Sequence, residues 1–460
     1  MSQFRVVTDS MGDVSVPADA KFSAQTQRAL DNFQISSLIL PDSFIDAVLH
    51  IKRAAAEVNA ELGVLDAEIS QAIIQAVDRV LAGEFRDQFP VDVFQTGSGT
   101  STNMNVNEVV ATLASEMSGL SISANDHVNM SQSSNDVVPT AIHCSAAVKL
   151  QEILIPAVKR LQATIDERAG AMTGVVKTGR THLMDAMPMT LAQEMSAWSC
   201  QLEKAQARLQ HVLSELRLLS QGGTAVGTGV NAPQGFSAAF CEVISRNTHT
   251  DFRPNNNFFE GISCQDTAVS ASSQLKTLAV ALTKISNDLR WMNSGPLSGL
   301  GEIQLRALQP GSSIMPGKVN PVIPEAVAMA CAQVVGNDAC IAMAGQSGNF
   351  QLNVMLPVIA YNLLQSIDVM ASSCTALADQ CIVDFQVNHN NLQAALAKNP
   401  VLVTALNPLI GYLRAAEIAK RAYSEQRDIL DVAEEMTTYS REELLGYLDP
   451  ERLTRGGLHA

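Results

Sequence analysis

The chain is poor in aromatic residues, in charge and in strand-like patterns. Of its 460 residues, 5% are aromatic and 17% are charged, whereas 47% are hydrophobic. That hydrophobic share supplies a large buried core and argues against a disordered chain. Apolar and polar residues rarely alternate with a period of two, so the sequence predicts an all-α protein rather than a sheet protein.

Positive charge is also scarce, because acidic residues outnumber basic ones and the formal net charge is −15. Such a chain is a poor partner for nucleic acid or for an anionic membrane surface. A small acidic substrate stays compatible with this balance, since a local cationic site can lie within an acidic protein.

Signals for export or membrane insertion are missing as well. Met1–Ser10 is polar and charged, so no signal peptide is expected. The longest apolar candidate, Ala326–Ala344, is interrupted by Gln333, Asn337 and Asp338, so no membrane span is expected either. The eight cysteines form no Cys-x-x-Cys pair, which predicts reduced thiols and a cytoplasmic location.

Long helical periodicity dominates what is present. Between Leu191 and Leu219 apolar residues recur in steps of three and four, and the pattern stops at Gln221–Gly223. Four further long helices are expected, with Pro324–Gly345 buried on most sides because it carries few charges; the segments are 154–165, 275–289, 324–345 and 357–381. Five long helices sharing one core form a bundle.

The bundle divides the chain into three expected domains. Residues 1–135 form an N-terminal domain of shorter helices, 136–384 form the central helical bundle, and 385–460 form a small C-terminal helical domain. Turn signals such as Asn399-Pro400 and Asn407-Pro408 mark the last of these.

Four polar patches interrupt the apolar helices. They are rich in hydroxyl and amide groups, which bind carboxylates without large steric demand. Each patch alone is more often a helix cap or a turn, but together they suit a dicarboxylate that needs several converging donors. The patches are Gln95–Asn103, Ser131–Asp136, Gly179–Asp185 and Gly311–Pro321.

The patch Gly311–Pro321 carries two hydroxyls, an ammonium and an amide between glycines and prolines. Pro316 and Pro321 lack an N–H, and Gly311 and Gly317 permit backbone angles that other residues avoid. The segment is therefore expected to be a loop that binds an anion and whose hydroxyl handles a proton.

The sequence partly matches two nucleotide-binding motifs, and neither match is complete. Gly311 to Lys318 has five residues between its glycines where a phosphate loop has four, and Val319 stands where magnesium binding requires Ser or Thr. Gly227–Ala232 fits the loose dinucleotide fingerprint, but a long helix precedes it instead of a strand. The histidines lie far apart without metal-ligand spacing, so no metal site is expected.

All four patches resemble those of class II fumarases, within the fumarase/aspartase superfamily, and the resemblance extends over nearly the whole chain. Ala24–Arg28 and Gly222–Gly229 belong to it as well. In aspartases, the motif that resembles the third patch reads Gly-Arg-Thr-Gln, and the one that resembles the fourth reads Pro-Ala-Lys-Val-Asn-Pro. Here Gly179–His182 and Pro316–Pro321 have the fumarase form.

This resemblance implies a fold and a reaction. The fold is a three-domain fumarase/aspartase-like one with a central five-helix bundle, and four such bundles form a twenty-helix core in a homotetramer. Each site is then built from three chains. The reaction is the reversible hydration of fumarate to L-malate in the tricarboxylic acid cycle, without metal or organic cofactor.

The resemblance also implies residue roles. Ser312 is the base that removes the C3 proton of malate, Lys318 helps to hold the substrate, and His182 paired with Glu325 handles the water or hydroxyl. The implied substrate-binding residues are Ser98, Gly99, Thr100, Ser133, Ser134, Asn135, Thr181, Ser313, Lys318, Val319 and Asn320.

The sequence departs from the family at a second, surface dicarboxylate site. Fumarases have His-Pro-Asn-Asp there, after a basic residue. This chain has Ser123, Ala124, Asn125 and Asp126 at the matching positions. Lys21–Ser23 also replaces a Leu-Trp-Gly-like segment.

Two other functions stay open at this point. One is an ammonia-lyase or another dicarboxylate lyase of the same fold, which His127, an aspartase-like residue, favours. The other is a non-catalytic structural protein, which the intact set of Ser312, Lys318, Asn320, His182 and Glu325 disfavours.

Overall fold

The computed structural model describes residues 4–457. The polar start Met1–Ser10 lies partly outside that range. The helices are α1 Ala24–Asn32, α2 Asp42–Glu61, α3 Ala67–Leu81, α4 Thr100–Ser118, α5 Ser134–Lys149, α6 Ile155–Gly170, α7 Leu191–Leu216, α8 Phe236–Thr248, α9 Phe258–Ser263, α10 Asp266–Met292, α11 Val322–Gly345, α12 Leu356–Leu377, α13 His389–Ala397, α14 Asn407–Ile410, α15 Tyr412–Glu425, α16 Ile429–Met436, α17 Arg441–Tyr447 and α18 Pro450–Leu453.

The strands are short and occur only in pairs among the described residues. They are β1 Phe4–Asp9, β2 Gly12–Pro17, β3 Val176–Thr181, β4 Met184–Thr190, β5 Leu218–Leu219, β6 Arg253–Pro254, β7 Ile303–Gln304, β8 Gly348–Asn349, β9 Leu352–Asn353 and β10 Gln386–Val387. The prediction of an all-α protein is confirmed. The hairpins β1–β2 and β3–β4 were not predicted, although both pair antiparallel over several residues.

The five expected long helices are present. A π-helical turn at Leu150–Leu154 joins α5 and α6 into one 37-residue helix, Ser134–Gly170. The other four are α7, α10, α11 and α12, with 26, 27, 24 and 22 residues.

The chain divides into two compact units. The first comprises residues 1–156, 205–279 and 331–371, and the second comprises 157–204, 280–330 and 372–460. This division does not test the three predicted domains, which stay a prediction.

Polar side chains link the long helices within the first unit. The Ser272 hydroxyl of α10 donates to Asp338 of α11 at 2.9 Å, and the Asn337 amide of α11 donates to the Ser366 hydroxyl of α12 at 3.0 Å. Both Asn337 and Asp338 are buried, so these bonds satisfy polar groups that would otherwise be costly inside a bundle.

Similar links occur within the second unit. The buried Trp198 indole of α7 donates to Asp288 of α10 at 3.2 Å, and the Gln162 amide of α6 donates to Ser199 of α7 at 3.3 Å. The C-terminal helices of this unit have a buried cluster of their own that includes Leu406, Ile418 and Val432.

The helix α11 differs from the expectation that it is buried on most sides. Met329 and Met343 are 70% and 67% exposed, and Val335 is also exposed. Its sequence is apolar all round, but the single chain covers only part of it. By length and composition alone, α11 and Ser134–Gly170 could cross a membrane. Core helices of soluble proteins are often as long and as apolar. In this structure 33% of the apolar window of α11 is buried, and 67% of that of Ser134–Gly170.

Candidate active site

The first two polar patches lie together in the first unit, at the N-termini of α4 and α5. Gly99 precedes α4 with a φ of 74°, and a Cβ atom there would lie 2.9 Å from the Val138 methyl groups of α5. This close approach requires glycine. The Asn103 amide of α4 then donates to the Ser134 hydroxyl of α5 at 3.1 Å.

Hydroxyl and amide groups surround these two helix ends. The Ser98 and Thr100 hydroxyls share a hydrogen bond of 2.8 Å. Ser133 caps α5, accepting from the Asn135 N–H at 3.2 Å, and the Asn135 amide donates to the Ala225 carbonyl at 2.8 Å. Helix N-termini carry partial positive charge, so the pair suits a carboxylate.

The buried carboxylate of Asp136 stabilises this arrangement through three backbone hydrogen bonds. Its carboxylate accepts from the Ser133 N–H at 2.9 Å and from the N–H groups of Gly222 and Thr224 at 3.0 and 2.9 Å. Burial raises the pKa of Asp136 to about 6, against the effect of these three N–H donors and of nearby Lys52. The Asp136 carboxylate therefore connects the start of α5 to the glycine-rich segment 222–229.

The third patch lies in the second unit, on the hairpin of β3 and β4. Thr181 pairs with Met184, so His182 and Leu183 form a two-residue turn. Their φ angles are 56° and 61°, as in a type I′ turn, which normally selects Asn and Gly. His182 is exposed, and Leu183 and Met184 beside it are 64% and 70% exposed. The hairpin thus presents an imidazole and two apolar side chains at its tip.

The fourth patch, also in the second unit, is the expected loop. Its ends are close together, because the Gly311 N–H donates to the Lys318 carbonyl at 2.7 Å and the Asn320 amide donates to the Gly311 carbonyl at 2.8 Å. A Cβ atom on Gly311 would lie 2.7 Å from that Lys318 carbonyl oxygen. Pro316 and Gly317, with a φ of 81°, form a type II turn that the Lys318 N–H closes on Met315.

Within this loop, the Ser312 hydroxyl oxygen accepts two backbone hydrogen bonds. The N–H groups of Ile314 and Met315 lie 3.2 and 3.1 Å from Oγ. A serine alkoxide is a strong base that forms with difficulty at neutral pH, and fixed N–H dipoles aimed at its oxygen stabilise the negative charge.

The loop opens onto a cavity of about 510 Å³. Lys318, Asn320 and Glu325 line it together with Arg290 and Trp291 of α10. Glu325 lies in the first turn of α11. The cavity therefore combines two cations, one carboxylate and the amides of three asparagines including Asn320. Its cations and amides are donors that suit a small anion.

Comparison with known proteins finds relatives that match this sequence over its full length. A family model described as lyase matches residues 12–336, and one described as fumarase C C-terminus matches 402–455. Fumarate hydratase class II 2 of Pseudomonas aeruginosa is 57% identical over 458 residues, covering 100% of both chains. A fumarate hydratase class II of Xylella fastidiosa is 56% identical, covering 99% of this chain and 97% of that one.

A solved structure agrees with these relatives. The crystal structure of recombinant class II fumarase from Schistosoma mansoni has a TM-score of 0.96 at 36% identity and covers 98% of this chain and 99% of that chain. The chain belongs to the class II fumarate hydratase family. It is therefore a lyase by family, and the expected fumarase-like fold is confirmed.

The structure of one chain brings some of the family-implied residues together. Ser98, Thr100, Ser133 and Asn135 lie around adjoining helix ends of the first unit. Within the described second unit, no hydrogen bond or ion pair joins His182 to Glu325. The implied pairing of His182 with Glu325 therefore stays a prediction.

The departure at the second dicarboxylate site has a local structural explanation. The Ser123 hydroxyl donates to Asp126 at 2.8 Å, and its N–H donates to His127 Nδ1 at 3.0 Å, so these groups bind one another. Ala124 and Asn125 line a cavity of about 600 Å³ that also holds the carboxylates of Asp9, Glu108 and Glu116. Asp9 is paired with Arg28 and Glu116 with Lys21, both at 2.8 Å, and the loss of the second dicarboxylate site stays a prediction.

The sequence reasoning missed two groups of residues. Arg290 and Trp291 line the cavity beside Lys318, and only the tertiary structure places them there. Lys52 and Asn59 of α2 are fully buried. A signal for these two existed, because a lysine and an asparagine stand seven residues apart on the apolar face of an otherwise amphipathic helix.

Proposed function

We propose that this protein catalyses the reversible hydration of fumarate to L-malate. The observation that carries the proposal is the Ser312 hydroxyl, which accepts hydrogen bonds from two backbone N–H groups. It lies on the same loop as Lys318 and Asn320, which line a cavity together with Glu325. In a family of fumarate hydratases, this geometry suits a serine base next to an anionic substrate.

In the direction from malate to fumarate, Ser312 as alkoxide takes the proton from C3. The electron pair of the C3–H bond moves into the adjacent carboxylate and gives a dianion, which Lys318 and Asn320 stabilise. The C2–O bond then breaks, the C2–C3 double bond forms, and the hydroxyl leaves as water after it receives a proton. We assign that proton transfer to His182, oriented by Glu325.

The first-unit residues bind the substrate in this proposal. Ser98, Gly99, Thr100, Ser133, Ser134 and Asn135 provide donors at the two helix ends, and Thr181, Ser313 and Val319 are further proposed substrate-binding residues. The hydroxyl and amide groups donate hydrogen bonds to the substrate carboxylates. These local donors are needed because the net negative charge of the protein does not attract an anionic substrate.

We further propose that the active form is a homotetramer whose sites combine residues of three chains. Two exposed surfaces support this: the outer face of α11 and the apolar tip of the β3–β4 hairpin that carries His182. A cytoplasmic role in the tricarboxylic acid cycle fits the eight free cysteines.

The test is an assay of the purified protein with fumarate, followed by the loss of the ultraviolet absorbance of the fumarate double bond and by product identification. We expect L-malate at the same rate with and without ammonium. Aspartate formed only with ammonium would indicate an ammonia-lyase instead, and no product under either condition would indicate a non-catalytic protein.

A further inference from the structure

Helix α2 contains two polar side chains that are completely buried. Lys52 and Asn59 each have 0% exposure, and they lie seven residues apart, on one face of the helix. A buried ammonium destabilises the fold, through its lost hydration, unless fixed partners compensate it. Apolar residues at both positions would suit the rest of this helix, so their partners indicate what the polar groups do.

Both side chains bind the same short segment, Asn129–Gln132. The Lys52 ammonium donates to Asn129 Oδ1 at 3.1 Å and to Gln132 Oε1 at 2.9 Å. Two turns along the helix, the Asn59 amide donates to the Met130 carbonyl at 3.1 Å, and its Oδ1 accepts from the Ser131 hydroxyl at 2.7 Å. Every residue of the segment is therefore held by α2.

The segment adopts a backbone that needs such support. Ser131 has a φ of 63°, in the left-handed region that non-glycine residues adopt at a cost. The Gln132 amide donates to the carbonyls of Val128 and Met130, both at 3.0 Å, so the turn is also closed on itself. Lys52 binds the acceptor end of that same Gln132 side chain.

The segment leads directly into the residues proposed to bind substrate. Ser133, Ser134 and Asn135 follow Gln132 without an intervening residue. Asn103 also joins the two groups, because its amide donates to Asn129 Oδ1 at 3.2 Å and to the Ser134 hydroxyl at 3.1 Å. A shift of the anchored turn would therefore move the hydroxyl and amide donors at the start of α5.

We infer that Lys52 and Asn59 are positioning residues, which fix the turn Asn129–Gln132 so that Ser133, Ser134 and Asn135 are held ready for a substrate carboxylate. Neither side chain reaches the substrate, because both are fully buried. Among the described residues, the oppositely charged group that acts on Lys52 is Asp136, at the start of α5, which accepts from the N–H groups of Gly222 and Thr224. The inference rests on the function proposed above.

The experiment compares Lys52→Met and Asn59→Ala with the full-length wild type. We expect the KM for fumarate to rise about tenfold in each variant, equivalent to about 1.4 kcal/mol of lost binding, while kcat changes less than about threefold. The dissociation constant of succinate, an unreactive dicarboxylate, measured by calorimetry should rise by the same factor. Lys52→Arg keeps a cation and donors at this position and should restore part of the affinity.

The control is Ile51→Ala, which removes a buried side chain from the same helix about 100° away from Lys52. It should lower the unfolding midpoint without changing KM. If Lys52→Met and Asn59→Ala lower the midpoint and leave KM and succinate binding unchanged, the two residues stabilise the fold only and the inference is wrong.

The outcome also separates this inference from the proposed function. If the wild type binds succinate without hydrating fumarate, a tenfold loss of succinate affinity in the variants supports the anchoring and contradicts the proposed reaction. If the wild type hydrates fumarate and the variants bind succinate normally, the anchoring alone is wrong. A wild type that neither reacts nor binds succinate contradicts both.

Discussion

At the scale of single residues, Ser312 depends on its own loop. Its hydroxyl is positioned by the N–H groups of Ile314 and Met315, two and three residues further along the chain. As the proposed base, it therefore needs no side chain from elsewhere to orient it. N–H groups aimed at its oxygen stabilise the alkoxide that this proposed role requires.

Replacing this hydroxyl gives the most direct residue-scale prediction. Ser312→Ala should lower kcat for fumarate hydration by about 100-fold or more, because no group remains to transfer the C3 proton. The unfolding midpoint and the sedimentation coefficient should match those of the wild type, since Ser312 lies in an irregular loop. A variant with near-normal kcat would exclude Ser312 as the base.

His182 combines a strained backbone with a proposed proton-transfer role. Asparagine tolerates its φ of 56° better than most residues do and has no ionisable proton. His182→Asn should therefore preserve or slightly raise the unfolding temperature, while kcat falls by about 100-fold. Circular dichroism and steady-state kinetics on the same sample test both parts. Unchanged kcat would remove His182 from the mechanism.

At the scale of elements, the loop Gly311–Pro321 is closed by backbone contacts that exclude a side chain at Gly311. A Cβ atom there would meet the Lys318 carbonyl oxygen at 2.7 Å and the Asn320 N–H at 2.9 Å. Those same two residues are proposed to bind the substrate. The close approach at Gly311 therefore also determines where Lys318 and Asn320 lie.

Gly311→Ala should separate the loop ends and weaken substrate binding. We expect kcat/KM to fall about tenfold or more, with an unfolding midpoint close to that of the wild type because the loop is largely exposed. Gly446→Ala in α17 is the matched control: its new Cβ would lie 3.6 Å from the Arg452 guanidinium of α18, an ordinary van der Waals contact. That control should retain full kcat/KM. Equal values for both variants would show that loop closure at Gly311 is irrelevant.

At the scale of the whole molecule, the exposed apolar face of α11 is the main feature that a single chain does not explain. Met343→Glu would place a charge on that face, where Met343 is 67% exposed. If chains associate through α11, the variant should dissociate into smaller species in sedimentation velocity and lose activity. Tyr423→Glu, at a 78% exposed position in the C-terminal helices, is the control and should leave the assembly unchanged. Assembly of Met343→Glu identical to that of the wild type would place the interface elsewhere.

The buried charge of Lys52 affects the stability of the whole molecule in a pH-dependent way. Burial lowers the pKa of Lys52 from 10.5 to about 7, with Asp136 acting in the opposite direction. Between these values the unfolded chain holds a proton that the folded chain has lost, so the free energy of unfolding rises with pH from about 7 upward. Below that range Lys52 is protonated in both states and contributes no slope.

Urea denaturation at neutral and at mildly alkaline pH tests this sign. The wild type should gain stability relative to Lys52→Met as the pH rises through this range, because the methionine variant lacks the titrating group. In the wild type, Asp136 has a raised pKa of about 6, which places its own titration below the range. A constant difference between the two proteins would show that Lys52 does not titrate there.

The sequence by itself determined the helical class, the five long helices and the irregular loop Gly311–Pro321. These depend on local properties: the spacing of apolar residues, and the backbone limits of glycine and proline. It also determined the family, because four separate patches keep its residues in order. The hairpin carrying His182 was missed, since a two-residue turn of His182 and Leu183 has none of the usual Asn-Gly signal.

Only the tertiary structure decided which polar groups meet. Lys52 and Asn129 are far apart in the sequence, and nothing local to either residue indicates that one holds the other. The same is true of Asp136 with Gly222, and of Arg290 with the loop at Lys318. Hydrogen bonds and cavities of this kind depend on how distant segments pack, which apolar periodicity does not encode. Whether α11 is covered depends in turn on chain association, one level above the fold of the single chain.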